Sequence, residues 1–200
     1  MISVFTAGKS GEMVVNHLLN EGWYQHQITI YDDYNGGKLI RGITIRPNLL
    51  NGINEYYVIA TSNMNLRRSL YDYYKGHGVF MNINYGEAEP TTLKQGNIIF
   101  SGVIFEKFSE VGSNNVISSG TIVNHHCKIG NGNLLGPGCL LSGSVTIGNN
   151  CDIGSGVIFE PGVTVADNTT IPSGAIIVGD VSGHIMASRR GAIYTGGYRI

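Results

Sequence analysis

The chain has 200 residues, enough to bury a sizeable core in one domain or two small ones, and 42% of them are hydrophobic. A formal net charge of −1 with only 14% charged residues provides no basic field, so neither nucleic acid nor an anionic membrane is expected as a partner. The start, "MISVFTAGKSGEMVV", has no basic segment ahead of a long apolar run, and no window reaches the roughly 18 apolar residues of a membrane span. Three cysteines are an odd number for a disulfide framework, so a cytoplasmic protein with reduced thiols is expected.

The first stretch alternates strand and helix signals. "ISVFT" (2–6) reads as a buried strand and "GEMVVNHLLNEG" (11–22) as a helix closed by Gly22. "ITIYDD" (28–33) and "YYVIAT" (56–61) read as strands, "NMNLRRSLYDYYKGHG" (63–78) as a helix, and "VFMNI" (79–83) as a further strand. This alternation predicts a small parallel α/β domain over residues 1–86, which would bind ligands at the carboxyl ends of its strands. The "TAGKSG" turn (6–11) fails as a P-loop, because that motif needs glycine at position 3, which is Ser3. It remains either an anion site at a helix N-terminus or a plain tight turn. Asp32 and Asp33 follow the second strand, where carboxylates accept hydrogen bonds from ribose or cap a turn. Tyr71, Tyr73, Tyr74, Arg67 and Arg68 read as ordinary helix faces.

Beyond residue 86 the period becomes six. Stepping by six from Leu93 through Ile99, Phe105 and so on to Ile177 gives fifteen positions, all large and apolar. Four residues after each comes a mostly small or β-branched residue, among them Ser109, Thr121, Cys127, Cys139, Val145 and Cys151. Glycine often follows the apolar residue directly, as in Gly112, Gly130, Gly136, Gly148 and Gly154, and most of the 29 glycines lie beyond residue 95. A six-residue repeat is the signature of a parallel β-helix, with three hexads to a coil. Residues 87–182 therefore form about five coils, roughly 24 Å tall at the spacing of stacked strands. Residues 183–200 are a tail.

The register assigns the reactive side chains of "VNHHCKIGNG" (123–132). Cys127, Cys139 and Cys151 take the small inward position and, twelve apart, fall on different walls. His125 and His126 sit at a corner where consecutive side chains are expected to diverge. With Cys127 pointing inward, the three cannot close around zinc, and no metal is expected. His125 is either a solvated surface histidine or a general base suited to neutral pH.

Together the "TAGKSG" turn and the stretch "NHHCKIGNGNLLGPGCLLSGSVTIGNNCDIGSGVIFEPGVTVADNTTIPSGA" resemble bacterial nucleotide-sugar acetyltransferases of the sialic acid O-acetyltransferase and UDP-4-amino-sugar N-acetyltransferase type. The resemblance implies a Rossmann-like N-terminal domain, a left-handed β-helix that binds acetyl-CoA without a metal, and a homotrimer with sites between adjacent prisms. It implies His125 as catalytic base with His126 beside it, where the family commonly carries Glu or Asp. Gly143 would present its N–H to the thioester carbonyl, with Ser142 and Gly174 as further acetyl-CoA contacts. Ala7, Gly8, Lys9, Ser10 and Gly11 would hold the sugar-nucleotide phosphates, and Asp32 and Asp33 the nucleoside. Leu134 stands where many relatives have another histidine. The tail lacks the usual Gly-x-Pro-Ala-Lys ending, leaving Arg189 and Arg190 as candidates for the adenine end of CoA. The expected reaction is N-acetylation of a UDP- or dTDP-linked 4-amino-4,6-dideoxy sugar. O-acetylation of a sugar hydroxyl and a non-catalytic nucleotide-sugar-binding protein are the alternatives.

Overall fold

The computed structural model describes residues 1–6, 8–47, 55–86, 89–182 and 193–194. The chain divides into two compact units, Met1–Ile83 and Asn84–Ile200. No helix among the described residues is long and apolar enough to cross a membrane.

The first unit contains β1 (Ile2–Thr6), α1 (Lys9–Asn20), β2 (Ile28–Tyr31), β3 (Leu39–Ile40), β4 (Ile43–Arg46), β5 (Tyr56–Ala60), α2 (Met64–Tyr74) and β6 (Val79–Phe80). They form one sheet in the order β3-β4-β2-β1-β5-β6, parallel throughout except for the antiparallel β3–β4 pair. Ile2, Val4 and Phe5 of β1 are buried, as the central strand of a parallel sheet requires. α1 buries Val14, Val15 and Leu18, a stripe at helical spacing. An aromatic cluster fills the space beneath α2, where Phe5 stacks on Tyr74 at 4.6 Å and Tyr57 lies 5.0 Å from Tyr74.

Two features depart from the sequence reading. "LIRGITI" forms the β3–β4 hairpin, because Arg41 and Gly42 both adopt positive φ (49° and 80°), the turn that suits a two-residue hairpin. Arg67 is not on an ordinary helix face. It is wholly buried and donates to the Ile59 carbonyl, and burial pushes its guanidinium down to about 9. Tyr74, too, is core rather than surface.

The second unit is a parallel β-solenoid with three walls. One wall runs through Ile104–Phe105, Ile122–Val123, Leu140–Leu141, Ile158–Phe159 and Ile176–Ile177, and each strand pairs with the one eighteen residues later. The walls through Glu110–Val111 and Val116–Ile117 follow the same offset. The six-residue ladder is the core: Ile117, Val123, Leu135, Leu141 and Phe159 are all fully buried. Full burial of each such side chain contributes about 1.5–3 kcal/mol.

The inward small position has a second duty. Cys127 Sγ donates to Ser142 O at 3.1 Å, Cys139 Sγ to Gly154 O at 3.2 Å and Cys151 Sγ to Ala166 O at 3.2 Å. Thr121 Oγ1 reaches Gly136 O in the same way. Asn97, Asn115 and Asn133, which periodicity alone did not single out, donate to Gly112, Gly130 and Gly148. Each therefore satisfies a turn carbonyl fifteen residues on, one coil above, which would otherwise face the interior without a partner. The cysteines are free thiols, and burial pushes Cys127 and Cys139 up, which keeps them protonated and unreactive.

Coil stacking also explains the glycine that directly follows several of the apolar residues. A Cβ on Gly130 would lie 2.5 Å from Gly148 O and 2.7 Å from Asn149 Oδ1. Gly130→Ala is expected to lower stability by about 1–3 kcal/mol, as overpacking against backbone does. Denaturant unfolding checks this, and an unchanged midpoint would refute close stacking at this corner.

Candidate active site

Position 126 decides the geometry of the histidine pair. The last residue of each hexad turn takes positive φ, mostly through glycine, but His126 does so at 60° and Phe108, one coil below it, at 65°. Left-handed backbone is uncommon for a bulky side chain and costs about 1–2 kcal/mol. At 126 it turns the ring back toward its neighbour. The two imidazoles do not diverge: His125 Nδ1 and His126 Nδ1 lie 3.0 Å apart, with the rings edge-on at 84°. Below, the Phe108 ring packs 4.9 Å from His126.

One nitrogen of that pair must donate and the other accept. If His125 Nδ1 carries the proton, its Nε2 is left as the acceptor. The His125 ring lies over residue 143, where a Cβ would meet Cε1 at 2.6 Å and Nε2 at 2.9 Å. Gly143 has no positive φ, so it is glycine for the sake of this ring rather than for its backbone.

The peptide between Ser142 and Gly143 is fixed on both sides. Its carbonyl accepts from Cys127 Sγ inside the solenoid, so in a planar trans peptide the Gly143 N–H points the opposite way, outward. Ser144 N–H to His125 O at 2.9 Å and Gly162 N–H to Gly143 O at 3.0 Å hold the segment in place. Among the described residues the Gly143 N–H has no acceptor. A fixed, outward, unengaged N–H beside an imidazole is what stabilisation of a developing oxyanion requires.

Other expected site residues fall elsewhere. Ser142 is on the same edge, with its N–H on Phe159 O at 3.1 Å. Gly174 lies in the column of Gly156 and Gly138, at a different edge of the solenoid. Leu134 is on the wall that runs through Val116–Ile117. Arg189, Arg190 and Ala7 lie outside the described residues. Among the described residues, no group of three His, Cys, Asp or Glu side chains is placed to hold a metal ion.

In the first unit a cavity of about 230 Å³ opens at the carboxyl ends of β1 and β2, lined by Gly8, Lys9, Asp32, Asn35, Lys38 and Ile45 among others. Ser10 and Gly11 belong to the first turn of α1, whose N-cap, Gly8, brings no side chain to the free amides. Asp32 is buried and already engaged: its carboxylate accepts from Tyr34 N (2.9 Å), Asn35 N (3.1 Å) and Asn35 Nδ2 (3.0 Å). It shapes the loop that borders the cavity. Asp33 is exposed.

Residues 126–161 match the sequence model of the family described as bacterial transferase hexapeptide (six repeats). That match falls within the solenoid. Solved structures share the fold across most of this chain. The acetyltransferase domain of PglB from Neisseria gonorrhoeae FA1090, in complex with acetyl coenzyme A, is 23% identical, with a TM-score of 0.80 over 90% of this chain and 92% of that one. PerB from Caulobacter crescentus, in complex with CoA and GDP-perosamine, is 22% identical, with a TM-score of 0.77 over 91% and 90%. WeeI from Acinetobacter baumannii AYE is 18% identical, with a TM-score of 0.75 over 92% and 93%. No curated protein matches by sequence.

Within the solenoid, the packing of His125 on Gly143 is open to a direct test. Gly143→Ala should displace the imidazole while leaving the buried column intact. Its thermal midpoint should stay within a few degrees of wild type, whereas any activity of the site should fall by about 10²-fold, the scale for an ångström of misplacement. Full activity in the alanine variant would show that the ring has no fixed seat there.

Proposed function

We propose that the chain is an acetyl-CoA-dependent N-acetyltransferase acting on the amine of a nucleotide-linked 4-amino-4,6-dideoxy sugar. The observation that carries this reading is the His125 imidazole held over Gly143 with the outward N–H of that residue free. The structural neighbours support the reaction class, since PglB and PerB are crystallised with acetyl-CoA or CoA, and PerB with GDP-perosamine as well.

In this reading His126 Nδ1 accepts the His125 Nδ1 proton and fixes the tautomer. His125 Nε2 then takes the amine proton as nitrogen attacks the thioester carbonyl. The Gly143 N–H receives the charge that develops on the carbonyl oxygen. When the tetrahedral adduct collapses, the C–S bond breaks and the proton passes from His125 to the departing thiolate. A second imidazole replaces the expected carboxylate as hydrogen-bond acceptor, though not as a negative charge.

The first unit is read as a Rossmann-like domain that binds the nucleotide-sugar. The uncapped start of α1 with Lys9 and Lys38 suits a diphosphate, and the apolar floor at Ile45 suits a base. Asp32 and Asp33 are read as the nucleoside side of this site. Left-handed winding, a cytoplasmic homotrimer, and CoA contacts from Ser142, Gly174, Arg189 and Arg190 belong to the same reading. A monomer by light scattering would count against the shared site.

His125→Ala should lower kcat by about 10²–10⁴-fold, the usual scale for loss of a general base. Retained activity would remove His125 from the mechanism. Thiol-detected CoA release across UDP-, dTDP- and GDP-linked 4-amino sugars identifies the nucleotide. Binding without CoA release would favour the non-catalytic alternative, and an ester product would favour O-acetylation.

His126 separates structure from chemistry. His126→Gly and His126→Asn both suit positive φ, but only asparagine places an acceptor, Oδ1, on the atom bonded to Cγ, where Nδ1 stands now. Asparagine should restore most of the kcat lost in the glycine variant, with KM unchanged in both. Equal activity in the two variants would reduce His126 to a turn residue.

A further inference from the structure

The histidine edge is built of stacked floors. Ser142 and Gly143 lie one coil above His125 and His126, and Glu106 and Phe108 lie one coil below. The Glu106 carboxylate does not lie free on its floor. Its Oε2 accepts the His125 backbone N–H at 3.1 Å, which ties the two floors together. Glu106, Phe108 and Lys107 line, with both histidines, a cavity of about 520 Å³.

Three features of Glu106 point to a ligand. It is the sole carboxylate among the cavity-lining residues. Among the described residues it has no cationic partner, Lys107 included. An ionised carboxylate is also acceptor-only with about four lone-pair directions, and the His125 N–H uses one of them. The cavity thus holds an anchored negative charge with unused acceptor capacity beside the imidazole.

We propose that Glu106 is the group that recognises the ammonium of the acceptor sugar and selects amines over hydroxyls. This rests on the acetyltransferase reading, which sets the thioester on the Gly143 floor. The acceptor then comes to His125 from the opposite floor, where Glu106 stands. A sugar ammonium offers three N–H donors and a positive charge, whereas a hydroxyl offers one donor and none; the bound ammonium gives one proton to solvent before its nitrogen attacks. The carboxylate missing from position 126 is thereby supplied one coil below, as a substrate contact rather than a partner of the imidazole ring. Phe108, 58% exposed and packed on His126, forms the apolar wall against which the sugar's deoxy carbon fits.

The test is calorimetric titration of the intact protein with two ligands, a dTDP-4-amino-4,6-dideoxyhexose and its 4-hydroxy counterpart, repeated with the UDP and GDP pairs. Wild type should bind the amine about 10-fold more tightly, the scale of one charge-assisted hydrogen bond at a partly exposed site. Glu106→Gln keeps an acceptor for the His125 N–H and removes only the charge. It should abolish the preference by weakening the amine alone. Glu106→Lys should reverse it. Equal binding of amine and hydroxyl by wild type, or a preference that survives in Glu106→Gln, overturns the assignment while leaving the acetyltransferase reading intact. Failure of all six ligands to bind would overturn both.

Discussion

Each coil of the solenoid has to lie on the coil beneath it in parallel register, eighteen residues apart, and the second unit follows from that requirement. Strands of two residues are too short to hold a sheet by themselves, so stability comes from repeating the same contact in every coil. The apolar ladder supplies the burial. The turns between walls pose the harder problem, because their carbonyls face inward where no strand partner exists. Cys, Thr and Asn at the small position answer it by donating one coil upward, at 3.1 Å from Cys127 and 2.9 Å from Asn115. An inward carbonyl also obliges the next N–H to face outward.

That obligation links scaffold to chemistry. Outward N–H groups at the edges take side-chain acceptors wherever one is available. Ser113 N–H finds Asn131 Oδ1, and Asn149 N–H finds Asp167, whose carboxylate is held below its ordinary range by those bonds. His125 N–H finds Glu106. Gly143 brings no side chain of its own and packs against an imidazole, and its N–H stays available. The features of the candidate site are thus local variations on a repeat that runs the length of the solenoid, and rigidity comes with them.

Legibility in the sequence varied with the kind of signal. A six-residue period made the ladder from Leu93 to Ile177 readable, along with the inward placement of all three cysteines on different walls. In the first unit the longer apolar runs marked β1, β2 and β5, and the helix signals marked α1 and α2. The β3–β4 hairpin escaped because its strands are only two and four residues long and its turn is Arg-Gly rather than Asn-Gly. Arg67 escaped because helical periodicity cannot show that a guanidinium will be enclosed and satisfied by a strand carbonyl.

His125, Gly143 and Ser142 were singled out from the residues or the family resemblance, but their mutual geometry was not. Three things were determined by the sequence alone: the repeat, the identity of the core column and the exclusion of Cys127 from any surface cluster. Each depends on one residue's place in a period. Only the tertiary structure decided that His126 turns back on His125, that residue 143 must be glycine to seat the ring, and that Glu106 reaches up from the coil below. Such contacts join residues one, eighteen and nineteen positions apart at an edge where side chains point out of the repeat. There, left-handed backbone and the coil above or below choose the partner, and periodicity is silent.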